Sequence, residues 1–297
     1  RLSNGDNLFF AAMDADTDGE EGKYYSFKKE DLEKISSNTN FDLFTSYYNI
    51  ELDNPWENDK YLLLPNNYSL EEEWIKSNNI SIDELEVLKK EWIEKIVEIK
   101  SEKTKPRIDD KIIVSWNSLT ITGLIDAYEA FKNDEFLDLA ISMFDELEKK
   151  SFRKNKLIHT YKENQFQEGV LEDYAYFSKA SMKLFQSTGL QSYFDFSKKL
   201  IDLALDIYND VNSDLLFYSN NEELFSKVIS IDDGVVPSPN SIIAEQLYNI
   251  GHVIFDDYYL DLSDKMVSAV KDIIDGNINS YSCLLYTSDA ADERSSV

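Results

Sequence analysis

Phe136-Leu-Asp-Leu-Ala-Ile-Ser-Met-Phe-Asp-Glu-Leu147 is the stretch on which the fold turns. Phe136, Leu139, Ala140, Met143, Phe144 and Leu147 recur at the spacing that lines one face of a helix over three turns. The same period extends outward on both sides. Upstream, Ile121, Leu124, Ile125 and Tyr128 repeat it. Downstream come Tyr174, Phe177, Ser181 and Leu184, then Phe196, Leu200, Leu203 and Ile207. Ile243, Leu247, Ile250 and Ile254 follow, and the series ends with Tyr259, Leu262, Met266, Val270 and Ile273. From about residue 115 onward the pattern predicts six amphipathic helices in three consecutive pairs, an array of αα-hairpins. The joins within pairs are brief: Lys132-Asn-Asp-Glu135, Ser187-Thr-Gly-Leu190 and Phe255-Asp-Asp257. Between pairs, residues 151–169 and 209–236 are longer, with short extended pieces predicted at Lys156–Tyr161 and Leu215–Ser219. A tight turn inside each hairpin and a looser link between hairpins is the pattern of hairpins laid around a ring.

The first hundred residues are less regular. Gly22–Phe27 reads as a short strand, Lys28–Ile35 as a short helix, and Ser81–Lys100 as a charged surface helix ending before Pro106. No second domain boundary is visible. The chain has 297 residues, 42% of them hydrophobic, with 17 Phe and 18 Tyr, so apolar material for a large core is ample. Only 9 Gly and 5 Pro argue against an all-β fold of many tight turns. A net charge of −27 repels phosphate backbones and anionic lipid, which excludes nucleic acid and membrane surfaces as expected partners. Residues 283–297, opening Cys283-Leu-Leu-Tyr-Thr-Ser-Asp-Ala-Ala-Asp-Glu293, look like the in-frame translation of a sequencing-library adapter and are set apart as a non-native tail. That leaves 1–282 as a fragment without cysteine, hence without a disulfide or a thiolate nucleophile. The expected compartment is the cytoplasm, and no cofactor or metal is expected.

In such an array alternate helices point the same way, so the first helix of each pair presents its N-terminus at a common mouth. Those three starts carry Asp109-Asp110-Lys111 with Ser115-Trp116-Asn117, Glu172-Asp173-Tyr174, and Asp232-Asp233-Gly234 with Pro237-Ser238-Pro239-Asn240. Ser, Asp and Asn at helix starts are ordinary caps, and Pro239 suits a first turn. Helix N-termini also favour carboxylates and bind anions. Acid with Trp, Tyr or Asn at three successive starts suits a sugar, stacked on an aromatic face and hydrogen-bonded at its rim. Asp173, Asp110, Asp14 and Asp16 are the candidate catalytic carboxylates. Trp116, Asn117, Tyr174, Asp233, Ser238 and Asn240 are the candidate binding residues. Asp14–Gly19 matches the opening of a calcium loop, but the twelfth position is Tyr25 rather than a bidentate Glu, so it reads as an acidic turn or a wall of the mouth. His159 and His252 lack metal spacing and read as satisfied or exposed imidazoles.

Met13–Tyr25, Asp109–Asn117, Leu171–Ala175 and Asp233–Ser241, in that order, resemble successive signatures of the thioredoxin-domain-containing family of spermatogenesis-associated protein 20. The resemblance covers nearly all of residues 8–275. It implies an all-α fold, an incomplete (α/α)6 toroid of the six-hairpin glycosidase type, with a thioredoxin-like domain upstream as its partner in the intact protein. Two departures stand out: the family's Pro-Ser-Gly-Asn is Pro237-Ser-Pro-Asn240 here, and its Trp-Asn-Gly is Trp116-Asn-Ser118. Kinship with glycosidases and sugar epimerases rests on fold, which does not fix function. Two functions stay open. One is a toroid that binds or acts on a carbohydrate-like small molecule. An inverting glycosidase would need two carboxylates about 6.5–9.5 Å apart: Asp173 with Asp14, Asp16 or Asp110. The other is a non-catalytic module that binds partners or presents substrate to the redox domain. On the first, Asp173→Asn should abolish turnover with little change in melting temperature.

Overall fold

The structure, a computed structural model, describes residues 2–36, 40–65, 68–162, 165–209, 211–220, 228–271 and 280–283. Of the predicted tail only Cys283 falls within them, and Ile273 lies outside. The chain forms two compact units, residues 1–11 with 110–297, and residues 12–109. The seams fall inside β1 (Phe10–Met13) and β6 (Ile108–Ile113). Neither seam carries the Gly, Pro or Ser enrichment of a linker, so no boundary shows in the composition.

The 12–109 unit holds β2 (Asp16–Thr17), β3 (Glu20–Glu21), β4 (Phe27–Lys28), α1 (Lys29–Ile35), α2 (Phe41–Tyr47), β5 (Lys60–Tyr61), α3 (Tyr68–Asn78) and α4 (Ile82–Glu102). Helix α4 starts on a reciprocal Ser81–Glu84 capping box and buries Leu85, Trp92 and Ile99. Its Trp92 ring stands 5.5 Å from Phe44 in an aromatic core with Tyr47, Tyr48 and Trp74. The predicted strand at Gly22–Phe27 is instead a turn ending in β4, because Gly22 takes a left-handed φ of 71°.

The larger unit contains the predicted hairpins: α5 (Val114–Phe131) with α6 (Asp134–Ser151), α7 (Leu171–Thr188) with α8 (Gln191–Tyr208), and α9 (Pro239–Ile254) with α10 (Asp257–Ser268). Helices α5, α7 and α9 pack side by side in one layer, and each is backed by its hairpin partner. All three hairpins close on the same two-residue turn. A left-handed residue (Lys132, Gly189 or Phe255) is followed by an extended one (Asn133, Leu190 or Asp256). Asn133 and Asp256 then cap the second helix through their side chains. Only Gly189 adopts the left-handed position without a Cβ penalty, so the turn is imposed by packing as much as by local preference.

Burial separates the layers. Helix α7 hides most of its circumference, including Ala175, Ser178, Ala180 and Ser181. These small residues let α8 approach: the Ser178 and Ser197 hydroxyls meet at 2.8 Å, and Ser181 donates to the Tyr193 carbonyl. Gly251 serves α9 and α10 likewise, since a Cβ there would lie 2.6 Å from Leu260 Cγ. Phe144, Phe177 and Phe196 pack at 5.0–5.3 Å and tie α6, α7 and α8 together. Between α6 and α7 lie β7 (Phe152–Arg153), β8 (Lys156–Lys162) and β9 (Gln165–Glu168), with β8 antiparallel to β6, β7 and β9. Residues Leu215–Ser219 form no named strand, contrary to the sequence reading. Their backbone is held by a side chain, a helix end and a loop instead: Leu216 by Asn240, Phe217 N–H by the Tyr208 carbonyl at the end of α8, and Tyr218 N–H by the Val228 carbonyl.

Candidate functional site

The starts of α5, α7 and α9 meet at one end of the hairpin layer. Asp173, in the first turn of α7, has no exposed surface. One carboxylate oxygen accepts from the Ser115 N–H at the start of α5 (3.0 Å), the other from Val170 N–H (2.9 Å). Across the same boundary Ser115 Oγ donates to Glu172 at 3.0 Å. On the far side, Tyr176 of α7 donates to the Pro237 carbonyl just before α9, at 2.5 Å. Gly169 lets the chain enter α7 this closely, as a Cβ there would stand 2.8 Å from the Leu157 carbonyl oxygen.

His159, read from the sequence as a satisfied or exposed imidazole, is satisfied by Asp173, a pairing the sequence did not suggest. It sits on β8, which runs beside the start of α7, and its Nδ1 lies 3.0 and 3.1 Å from the two Asp173 oxygens. Burial opposes the imidazolium. The hydrogen bond and charge of Asp173, aided by Glu172, outweigh that burial and Lys111, and raise the His159 pKa above its ordinary 6.5. Glu172 is further hydrogen-bonded by Tyr218, whose hydroxyl burial and Glu172 push well above its ordinary range. His159, Glu172 and Asp173 each offer a ligand atom within 4.8 Å of the others, so they are the described residues able to hold a cation here. Two of Asp173's lone pairs are already engaged by backbone N–H groups. Because the folded-state pKa of His159 is raised, its stabilising charge is fully present below about 6.5 and is lost as pH rises through the folded value. The stability gap between the protein and His159→Asn, read by urea unfolding, should therefore be wider at pH 6 than at pH 9.

The other predicted residues fall into three groups. Asn117 and Asn240 are buried and hold backbone groups of other segments. Asn117 accepts from Phe9 N–H and donates to the Phe9 and Ile113 carbonyls. Asn240 accepts from Leu216 N–H and donates to the Leu216 and Ser230 carbonyls. Ser238 caps α9, and Asp233 accepts from Ser238 N–H and Cys283 N–H. Tyr174 is no open platform: it is 1% exposed, with its hydroxyl accepting from Leu157 N–H, because the ring fills the space under β8 and packs on Tyr208. Trp116 is half exposed beside Ser115 and borders a cavity of about 110 Å³ shared with Phe9, Phe10 and Thr120. Asp110 pairs with Lys162 at 2.5 Å on the sheet. Asp14 and Asp16 belong to the other unit, where Asp14 accepts from Arg107 at 2.9 Å. Pro239 opens α9, where a missing N–H costs nothing, and Ser118 Oγ folds back on the Val114 carbonyl, so both residues are accommodated.

No family model matches the chain. Its sequence is similar to an uncharacterized protein of Caenorhabditis elegans, 24% identical over 294 residues and covering 89% of this chain and 40% of that protein. It is also a distant relative of Homo sapiens spermatogenesis-associated protein 20, 23% identical over 286 residues, covering 84% of this chain and 36% of that one. The chain thus spans well under half the length of these relatives. Among solved structures it is similar to a GH76 alpha-mannanase from Bacteroides thetaiotaomicron (TM-score 0.47, 15% identity, 82% of this chain and 58% of that one). It is also similar to cellobiose 2-epimerase from Spirochaeta thermophila (TM-score 0.45, 14% identity, 58% and 48%). Among the described residues no helix is long and apolar enough to cross a membrane.

Proposed function

We propose that the hairpin unit is an arc of an (α/α)6 toroid that takes a carbohydrate-like ligand where α5, α7 and α9 begin, and that His159 moves the proton there. The observation behind this reading is the clamp of His159 Nδ1 on a fully enclosed carboxylate. Asp173 fixes the tautomer, leaving Nε2 of the neutral ring free to take a proton. Asp173 is therefore a positioning residue. Glu172 offers a carboxylate oxygen within 4.8 Å of one of Asp173's, too close for the water-spanning pair of an inverting hydrolase. Proton abstraction beside a sugar carbonyl, as in epimerisation or isomerisation, suits a single histidine base better. Trp116 supplies an exposed face for the ring. Asp110 and Asp233 are retained as rim groups.

The test is deuterium wash-in at C2 of reducing mono- and disaccharides in D2O, followed by NMR. His159→Asn should slow exchange at least about a hundredfold, in line with general-base contributions. Trp116→Ala should raise KM more than it lowers kcat. Exchange that survives His159→Asn refutes the assignment. A second reading, a module that presents partners to a thioredoxin-like domain, is favoured by Asn117, Asp173 and Asn240 being engaged by backbone. It gains if saccharides neither bind nor exchange.

A further inference from the structure

The three hairpin turns lie level with one another, at the end of the layer away from the helix starts. Two ion pairs set this register. Lys183 of α7 pairs with Asp126 of α5, each five residues before the end of its helix. Lys179 of α7 pairs with Glu245 of α9 at 2.8 Å, each nine residues before the end. Every turn presents a large apolar side chain to solvent: Phe131 is 74% exposed, Leu190 54% and Phe255 92%. Val253 and Tyr258, near Phe255 in the chain, are exposed as well. Phe255 carries a second cost. Its φ of 56° puts a bulky residue in the left-handed region that Gly or Asn occupies more easily. With so little of its ring covered, packing within the chain does not offset that strain.

We propose that this row of turns docks a basic amphipathic helix of a partner protein, with its apolar stripe on Phe131, Leu190 and Phe255 and its lysines or arginines against the turn carboxylates. The spacing is that of a helix. Packed neighbours stand about 8–10 Å apart, close to two turns of a helix that rises about 1.5 Å per residue. One apolar stripe of about four turns therefore meets all three anchors. Charge selects the flanks. Across 131–135, 188–191 and 254–258 four carboxylates, Asp134, Glu135, Asp256 and Asp257, stand against one lysine, Lys132. The same charge works against a second copy of this surface, or an anionic bilayer, as the occupant. The turns lie at the opposite end of the layer from Asp173, so the inference is independent of the His159 reading.

Fluorescence anisotropy of the whole chain with a labelled synthetic helix of about four turns, a Leu stripe flanked by Lys, tests it. Two controls accompany it: the same stripe flanked by Glu, and the Lys peptide with its residues scrambled. At physiological salt the striped Lys helix should bind about tenfold or more tightly than either control. Phe131→Ser, Leu190→Ser and Phe255→Asn combined should weaken binding about tenfold or more, as loss of the anchors requires. Phe255→Asn alone should weaken binding and at the same time raise the melting temperature by about 1–4 °C, because Asn relieves the left-handed strain. Binding of the scrambled Lys peptide as tight as that of the striped one would reduce the effect to net charge and overturn the proposal. So would undiminished binding by the triple variant, no binding of the striped helix, or a fall in melting temperature in Phe255→Asn. Sedimentation showing a dimer that Phe255→Asn dissolves would overturn it in favour of a second copy.

Discussion

Asp173→Asn is expected to destabilise the hairpin unit by about 3 kcal/mol or more, a loss dominated by packing and hydrogen bonding rather than by chemistry. The side chain is wholly enclosed and receives donors from the Ser115 N–H, the Val170 N–H and His159 Nδ1. An amide of the same shape must turn its NH2 toward at least one of these donors. It also leaves the His159 imidazolium without its counter-charge. For a unit of this size the melting temperature should fall about 6–12 °C. Urea unfolding gives the energy directly, and NMR titration of His159 should show its pKa moving down once the carboxylate is gone. A loss below about 1 kcal/mol would mean that Asp173 does not join the helix starts as described. This reverses the expectation from sequence, in which Asp173 faced a ligand and its loss left stability intact. Catalytic effects of Asp173→Asn are informative only at temperatures where the variant is still folded.

What the sequence could disclose follows from which forces are periodic. The six long helices were legible because α6, α8 and α10 bury one stripe each, and such a stripe repeats every three to four residues. The hairpin turns were legible as short joins, but their shared left-handed residue was not, since Lys132 and Phe255 give no Gly signal. Helices α2 and α3 went unseen. The site was half legible. The polar residues that start α5 and α7 do meet, Ser115 on Asp173 and Glu172, because alternate helices of a hairpin array run parallel. Their roles did not follow, since Asp, Ser and Asn cap a helix and bind a ligand with the same atoms. The pairing of His159 with Asp173 was not legible because His159 lies on a strand and its partner on a helix start. The alternation of β8, in which Leu157 and Ile158 are buried and His159 is partly so, offers only a faint signal. The pairing of β8 with β6, beside α5, comes from long-range contacts that no local pattern encodes.

Asn240→Asp should be as damaging as Asp173→Asn, for the mirror-image reason. Asn240 has no exposed surface, and its amide sits on the Leu216 peptide like a rung of a sheet: Oδ1 takes the Leu216 N–H at 2.9 Å, and Nδ2 gives to the Leu216 and Ser230 carbonyls at 3.0 and 2.9 Å. Asn117 holds Phe9 by the same two-point contact at the start of α5. The device therefore occurs twice, each time on a peptide that lies against a helix start. Exchanging the amide for a carboxyl changes no volume, so no cavity term enters. It places an oxygen against two carbonyl oxygens in a dry site, at a cost of about 3–5 kcal/mol if the group stays charged. A proton can relieve one carbonyl but not both, so the introduced carboxyl should titrate above its ordinary range. The destabilisation should accordingly be larger at pH 8 than at pH 5, by urea unfolding at each pH. A ligand-facing Asn240 would give the opposite result, with stability kept at both pH values and saccharide binding lost. That outcome would return the Pro237–Ser241 turn from scaffold to site.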